Sequence, residues 1–188
     1  MKLTKGQYGC RNSSKRMRVL LTGIFIAAIL LQLLARNLTD NPGVKNILTV
    51  MAVLTVLPMA NIAAPLLASW KYRTPPRAFY ERAAGYEDKF PVIYDLILTS
   101  RDLVMPMDAI AVHPKAVIAY CTNPKADASE AEQFLNEMLR QNKLDANVRV
   151  IKDERLFFKR LDNLKPSAEY EADGCEEYII ALMKSLSM

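Results

Sequence analysis

Two long uncharged stretches near the N-terminus dominate the hydrophobic pattern of this 188-residue chain. Residues 19–35 form the first, 17 residues bounded by Arg18 and Arg36, and residues 47–70 form the second, which is 24 residues long. As helices rising ~1.5 Å per residue they would reach about 25 and 36 Å, against about 30 Å for the hydrocarbon core of a bilayer. The pattern therefore predicts two transmembrane helices, joined by an external loop over residues 36–46.

Two other interpretations of these stretches stay open at this point. The first stretch could be a cleaved signal peptide, because a basic segment precedes it, although its apolar part is long and a small-residue cleavage site is missing. The second could be the buried helix of a soluble core, for which 24 uncharged residues are unusually many. Pro58 and Pro65 interrupt the second stretch, and such kinks are tolerated in membrane helices.

Charge is divided unevenly along the chain. Up to Arg77 there are 11 Lys and Arg against the single acid Asp40, a net charge of +10, whereas the remainder carries −5. A nucleic-acid-binding protein would carry its positive charge on the folded domain, so no nucleic acid is expected as a partner. Six of the basic residues lie in a tail over residues 1–18, and the positive-inside rule then places both termini in the cytoplasm. We expect a multi-pass protein of the plasma (inner) membrane.

After a basic linker over residues 71–77, residues 78–188 show the pattern of a cytoplasmic α/β domain. Strands are predicted where β-branched and apolar residues cluster, and helices where apolar residues repeat with helical spacing. The result is an (α)βββαβα order with a terminal helix. The predicted strands are residues 92–99, 107–112, 116–121 and 148–151. The predicted helices are residues 79–85, 129–142, 153–164 and one capped by Asp173, while Ser129 with Glu132 forms a capping box and Asp153 caps the third helix.

Few residues offer catalytic chemistry. The three cysteines form no close pair, which argues against a disulfide framework or a structural zinc site, and Cys121 is expected to be a small core residue. The only histidine, His113, precedes a proline in the hairpin turn that joins two strands, where a surface position is expected. No glycine-rich phosphate loop occurs, so no cofactor is expected. The remaining acids are expected on solvated faces and caps: Asp95, Asp102, Asp108, Glu130 and Glu132.

One strand begins with the sequence MDAIAV, in which Asp108 is the acid, and an amphipathic helix and a further strand follow. This arrangement, over residues 92–164, resembles the nuclease-related domains of the restriction-endonuclease-like fold. The resemblance implies a divalent cation bound by Asp108 and by a Glu-x-Lys motif on the next strand. Residues 119–122 of this chain read AYCT at that place, without an acid or a lysine. The resemblance therefore implies a degenerate fold member that lacks its second ligand.

The whole chain is also similar to small uncharacterised two-span membrane proteins of Gram-positive, Clostridia-type bacteria. The opening MKLTKGQYG and the stretch VRVIKDERLFFKRLDNL over residues 148–164 carry this resemblance. Some of those proteins are labelled O-linked GlcNAc transferase-like. That activity is not expected here, because the chain has no tetratricopeptide period and too few residues for a nucleotide-sugar transferase domain beside two spans.

Two functional hypotheses follow. In the first, the chain is a non-catalytic module, anchored in the lipid bilayer, whose acidic domain contacts an unknown protein partner; the spans could also support a homo-oligomer. In the second, it is a metal-dependent hydrolase centred on Asp108, with Asp95 or Glu130 as a further ligand.

Overall fold

The computed structural model describes residues 4–100, 104–124, 126–145, 147–170 and 174–188. The chain divides into two compact units. One is Asn12–Tyr72, which we call the hairpin unit. The other, the α/β unit, joins the residues up to Arg11 with Arg73–Met188. The described residues before the first long helix thus fold with the α/β domain, whereas the sequence predicted a separate basic tail over residues 1–18.

The hairpin unit consists of two long helices. α1 runs over Cys10–Leu38 and α2 over Pro42–Ser69, so both extend beyond the uncharged stretches predicted from the sequence. The side chain of Asn41 caps α2 by accepting a hydrogen bond from Gly43 N at 2.9 Å, with Pro42 at the first helical position. Only three residues separate the helices, which makes the connection shorter than the predicted loop.

Apolar side chains of these two helices point outward. The large apolar side chains that are exposed lie on α1, on α2 or at Trp70, apart from Leu156 and Tyr178 among the described residues. A helix in the core of a soluble protein would bury such side chains, so that interpretation of the second stretch is disfavoured. The chain therefore has two helices that are long and apolar enough to span a membrane, as predicted.

The α/β unit is built on a small mixed sheet of four strands in the order β1-β2-β3-β4. β1 pairs with β2 and β2 with β3 in antiparallel fashion, whereas β3 and β4 are parallel. The predicted strands were therefore correct in number and order. The strands are β1 Val92–Thr99, β2 Val104–His113, β3 Ala116–Tyr120 and β4 Val148–Ile151. The helices of this unit are α3 Arg77–Ala84, α4 Ala128–Gln141, α5 Glu154–Asp162 and α6 Cys175–Ser185, with a 3-10 turn at Ser167–Glu169.

Helices cover both faces of the sheet. Leu135 of α4 and Met183 of α6 belong to the core on one face, and Phe79 of α3 and Phe157 of α5 to the core on the other. The second core is rich in aromatic rings, and Phe79 stacks on Tyr120 with their centroids 4.9 Å apart. Residues that the sequence placed at helical or strand spacing thus form two separate cores, one on each side of the sheet.

Chain ends protect the outer edge of β1. Tyr94 N donates to Gly6 O at 2.9 Å, Thr99 N to Leu186 O at 3.1 Å, and Met188 N to Ile97 O at 3.1 Å. An edge strand with unpaired backbone groups would otherwise be a template for pairing with another chain.

Side chains of α4 protect the other edge, at β4. Val148 N donates to Asn136 Oδ1 and Val150 N to Glu132 Oε1, both at 2.8 Å. The predicted capping box is therefore wrong, because Glu132 binds the sheet instead of its own helix. Asp127 caps α4, accepting from Ser129 N at 2.8 Å.

The N-terminal ends of α5 and α6 were also predicted to be capped by aspartates. Asp153 caps α5 as predicted, accepting from Leu156 N at 2.9 Å. Asp173 and Asp102 lie outside the described residues. Gly174, with φ 73°, occupies the N-cap position of α6, in the left-handed region that glycine adopts readily.

Candidate functional site

Two buried aspartates face each other across the pair of strands β1 and β2. The register pairs Tyr94 with Ala109 and Leu96 with Met107, so Asp95 of β1 lies opposite Asp108 of β2. The exposed fractions of the two residues are 5% and 2%. The expectation that both acids lie on solvated faces or caps is therefore wrong, and the reason is a partner from elsewhere in the chain.

A local change in the backbone positions this pair. Asp95 has φ 58°, in the left-handed region, where aspartate is tolerated better than most residues. Ile93 and Leu96 of β1 join the same core, as do Met107 and Ile110 of β2, so the alternation of side chains shifts by one position in both strands. A backbone of this kind costs about 1–3 kcal/mol and persists only where surrounding contacts hold it.

The partner of the two aspartates is Arg11. Its Nη1 donates to Asp108 Oδ1 at 2.9 Å, and its Nη2 donates to the carbonyls of Met107 at 2.9 Å and Leu96 at 3.2 Å. Its Nε lies 3.7 Å from Asp95 Oδ1, an ion pair without a hydrogen bond. The Arg11 side chain is only 2% exposed, so the guanidinium exchanges its water shell for these oxygens.

Asp95 also holds the start of α1. Its Oδ2 accepts from Gly9 N and from the Thr74 hydroxyl, both at 2.8 Å, and the backbone N–H of Arg11 donates to the same carboxylate. A carboxylate is favoured at a helix N-terminus, where the first N–H groups lack helical partners. Burial nevertheless raises the pKa of Asp95, although Arg11, Thr74 and the backbone N–H groups act in the opposite direction.

Both oxygens of Asp108 are occupied. Oδ1 binds Arg11, and Oδ2 accepts from Thr122 N at 2.9 Å and from the Thr122 hydroxyl. With one guanidinium and two carboxylates, the cluster of Arg11, Asp95 and Asp108 has a formal charge of −1 when both acids are ionised. We call it the ionic cluster.

The only histidine is also fully engaged. His113 is 2% exposed, which makes the predicted surface position wrong. Its Nδ1 accepts from Lys115 N, so its Nε2–H donates to Lys165 O, both at 3.1 Å. The ring packs edge-on against Phe90 and Tyr170. Because burial lowers the pKa of His113, the neutral ring is favoured, and it has a structural role in the turn.

Cys121 and Glu130 are the remaining candidates from the sequence. Cys121 is buried in the core as predicted, and burial raises the pKa of its thiol, which disfavours a nucleophilic thiolate. Glu130 is exposed in the first turn of α4. Within the described residues no group of three or more His, Cys, Asp or Glu side chains is arranged to hold a metal ion.

Sequence reasoning missed Arg11, Thr74 and Thr122. A signal was present, because Asp95 and Asp108 each interrupt an otherwise apolar strand, and a carboxylate in a buried strand requires a cation or several donors. The pattern did not indicate which of the 25 basic residues would supply it.

Comparison of the chain with models of known protein families, with curated proteins and with solved structures finds no match.

Proposed function

We propose that this protein is a non-catalytic interaction module anchored in the plasma membrane of a bacterium, with its α/β unit and both termini in the cytoplasm. The observation that carries the proposal is the ionic cluster. The charged groups that could have served catalysis instead bind one another and the backbone, as Arg11 does with Asp108.

The ionic cluster supports an anchoring role. The chain leaves the α/β unit after Arg11 and returns to it at Arg73. Arg11 Nη1 donates to Arg73 O at 2.7 Å, and Tyr8 Oη donates to Pro75 O at 3.0 Å. The segments before and after the hairpin unit are thus fastened together inside the domain. Such a connection supports a module whose α/β unit holds both chain segments that lead into the hairpin unit.

A protein partner would bind the helices of this module. Both sheet edges are covered, which disfavours binding by addition of a strand. α4 and α6 cover one face and together carry a net charge of −3. A partner with a basic surface fits that face best.

Purification from gently solubilised membranes tests this proposal. We expect a protein that is recovered reproducibly with the wild type and lost with Glu130→Lys combined with Glu137→Lys, two exposed positions of α4. Arg160→Glu, on α5, is the control and should retain it. Recovery of no reproducible protein, or equal recovery with the α4 variant, would contradict the proposal.

The topology has its own test in whole cells. In a Cys175→Ser background, which leaves the buried Cys10 and Cys121, Asp40→Cys should react with a membrane-impermeant maleimide in intact cells. Glu137→Cys should react only after permeabilisation. The reverse pattern would invert the proposed orientation.

The alternative function is a metal-dependent hydrolase of the nuclease-like type, centred on Asp108. The cross-strand pairing of Asp108 with Asp95 favours it, because two facing carboxylates are a starting point for a Mg²⁺ site. Arg11 weighs against it, since its guanidinium occupies the place of the cation.

Thermal unfolding of the full chain with Mg²⁺ or Mn²⁺ distinguishes the two functions. We expect no change of the unfolding midpoint, because Arg11 occupies the place of the cation. A metal that bound only the folded state, at a hundredfold excess over its Kd, would instead raise the stability by ~2.7 kcal/mol. A rise that Asp108→Ala abolishes would favour the hydrolase.

A further inference from the structure

The two helical faces of the α/β unit carry opposite charge. α3 and α5 together contain five basic and three acidic residues, a net charge of +2, whereas α4 and α6 on the opposite face carry −3. Although the net charge of the domain is negative, one of its helical faces is therefore basic. That side is assembled from residues of two helices that are about 70 positions apart in the chain.

The outward surface of α5 is the strongest part of this basic side. Phe157, Phe158 and Leu161 point into the aromatic core, whereas the other residues of α5 are exposed. Leu156 is 45% exposed, one of the few large apolar side chains left exposed outside the hairpin unit. Three exposed basic residues surround it on the same short helix: Arg155, Lys159 and Arg160.

These basic residues are available for an external anion. On α3, Arg77 pairs with Glu81 at 2.8 Å, and Arg82 lies 3.9 Å from the centre of the Phe158 ring. Among the described residues, by contrast, no ion pair involves Arg155, Lys159 or Arg160.

We propose that the α3–α5 face is a peripheral membrane surface that binds anionic phospholipid headgroups, with Leu156 inserted at the boundary between the headgroups and the acyl chains. An exposed leucine beside Lys and Arg offers two contacts that hold a helix at a membrane surface, apolar insertion and attraction to anionic lipid. A nucleic acid or an acidic peptide would use the charges but has no need of the leucine.

Chain length keeps the start of α3 close to the end of α2. α3 begins eight residues after Ser69, the last residue of α2, and eight extended residues span at most about 28 Å. The lipid surface is therefore always present at high effective concentration, so weak contacts suffice. This step rests on the proposed membrane location. It does not depend on the proposed protein partner, which would use the opposite face.

The test measures the accessibility of Leu156 in the full chain. In a Cys175→Ser background, Leu156→Cys is compared with Glu137→Cys on the exposed side of α4. Both proteins are reconstituted in nanodiscs of phosphatidylcholine alone or with added phosphatidylglycerol, and the rate of reaction with a water-soluble maleimide is recorded. Failure to incorporate into nanodiscs would count against the membrane location itself, and is thus distinguishable from failure of the present proposal.

We expect the anionic lipid to slow labelling at position 156 several-fold and to leave position 137 unchanged. High salt should restore the rate, because it screens exposed charges. Arg160→Glu should abolish the protection and Arg140→Glu should not; both replace an exposed arginine in the last turn of a helix. Labelling at position 156 that is independent of lipid charge, or equal protection at position 137, would overturn the proposal.

Discussion

The two units of this protein use opposite rules for burial. In the hairpin unit, the apolar side chains are exposed and the hydroxyls satisfy themselves locally, as Thr22 does by donating to Arg18 O at 2.8 Å. In the α/β unit, the apolar side chains are buried, and the decisive polar contact joins Arg11 to Asp108, 97 positions away. Local pattern therefore determines the first unit, whereas the second depends on contacts that sequence spacing does not reveal.

Replacing Arg11, the cation that comes from a distant part of the chain, should reduce the stability of the α/β unit most strongly. We expect Arg11→Met to destabilise the α/β unit by about 3–5 kcal/mol, because it leaves two buried carboxylates without their partner. Urea unfolding would be measured on a linked unit, in which a short Gly-Ser linker joins residues 1–11 to residues 73–188. The close contact of Arg11 with Arg73 makes such a linker feasible.

Two controls separate the loss of the ionic cluster from other effects of Arg11→Met. Arg160→Met in the linked unit changes an exposed residue of α5 and should alter the free energy of unfolding by less than about 0.5 kcal/mol. Adding Asp95→Asn and Asp108→Asn to Arg11→Met should recover much of the lost stability, since the uncompensated charges are gone. A triple variant as unstable as Arg11→Met would show that the guanidinium acts by packing alone.

The pH dependence of the ionic cluster gives the next effect. Burial raises the pKa of Asp95 above its ordinary value of 3.8, so the folded state holds this proton more tightly than the unfolded state. The stability of the wild-type linked unit relative to Asp95→Asn should be greatest below pH 3.8. It should fall as the pH rises through the folded pKa and level off above it, by about 1.4 kcal/mol per unit of pKa shift. A difference that grows with pH instead would mean that Arg11 outweighs desolvation.

A smaller effect tests the start of α4. Asp127→Ala should cost about 1 kcal/mol, because Asp127 caps the helix by accepting from Ser129 N and Glu130 N. Ser129→Ala, at the position that the sequence favoured as the cap, should change the unfolding free energy by less than about 0.5 kcal/mol. Urea unfolding of the linked unit measures both. Equal losses of stability in the two variants would show that Ser129 contributes to the cap as much as Asp127 does.

The smallest effect belongs to the hairpin unit. Gln32 Nε2 approaches the Thr55 hydroxyl at 3.4 Å, while that hydroxyl donates to Met51 O. Gln32→Leu should therefore weaken the association of α1 with α2 by only about 0.6 kcal/mol. Unfolding of the full chain in mixed micelles would measure it, with Thr49→Val as the control, because Thr49 bonds within its own helix. A loss of several kcal/mol would mean that this pair dominates the hairpin.

Much of the fold could be predicted because it depends on local periodicity. Residues 92–99 and 148–151 are strands with the predicted bounds, and α4 differs from its prediction by one residue at each end. The shift of alternation at Asp95 could not be predicted, since it needs a left-handed residue that only the surrounding contacts stabilise.

The candidate site was predicted only in part. Asp108 was singled out through a resemblance, yet its surroundings differ from the expectation because Arg11, 97 positions earlier in the chain, binds it. Glu132 shows the same limit on a smaller scale. Its spacing from Ser129 is typical of a capping box. The carboxylate of Glu132 instead accepts a hydrogen bond from the backbone N–H of Val150 on β4.

Residues 4–11 fold with the α/β domain, and the stability of two shortened chains shows how much they contribute to it. Residues 73–188 alone and the linked unit would be unfolded in urea under the same conditions. We expect a single cooperative transition for the linked unit and a loss of at least about 3 kcal/mol, or no cooperative transition, for residues 73–188 alone. Equal stability of the two chains would contradict this expectation, because the ionic cluster would then contribute nothing to the folded domain.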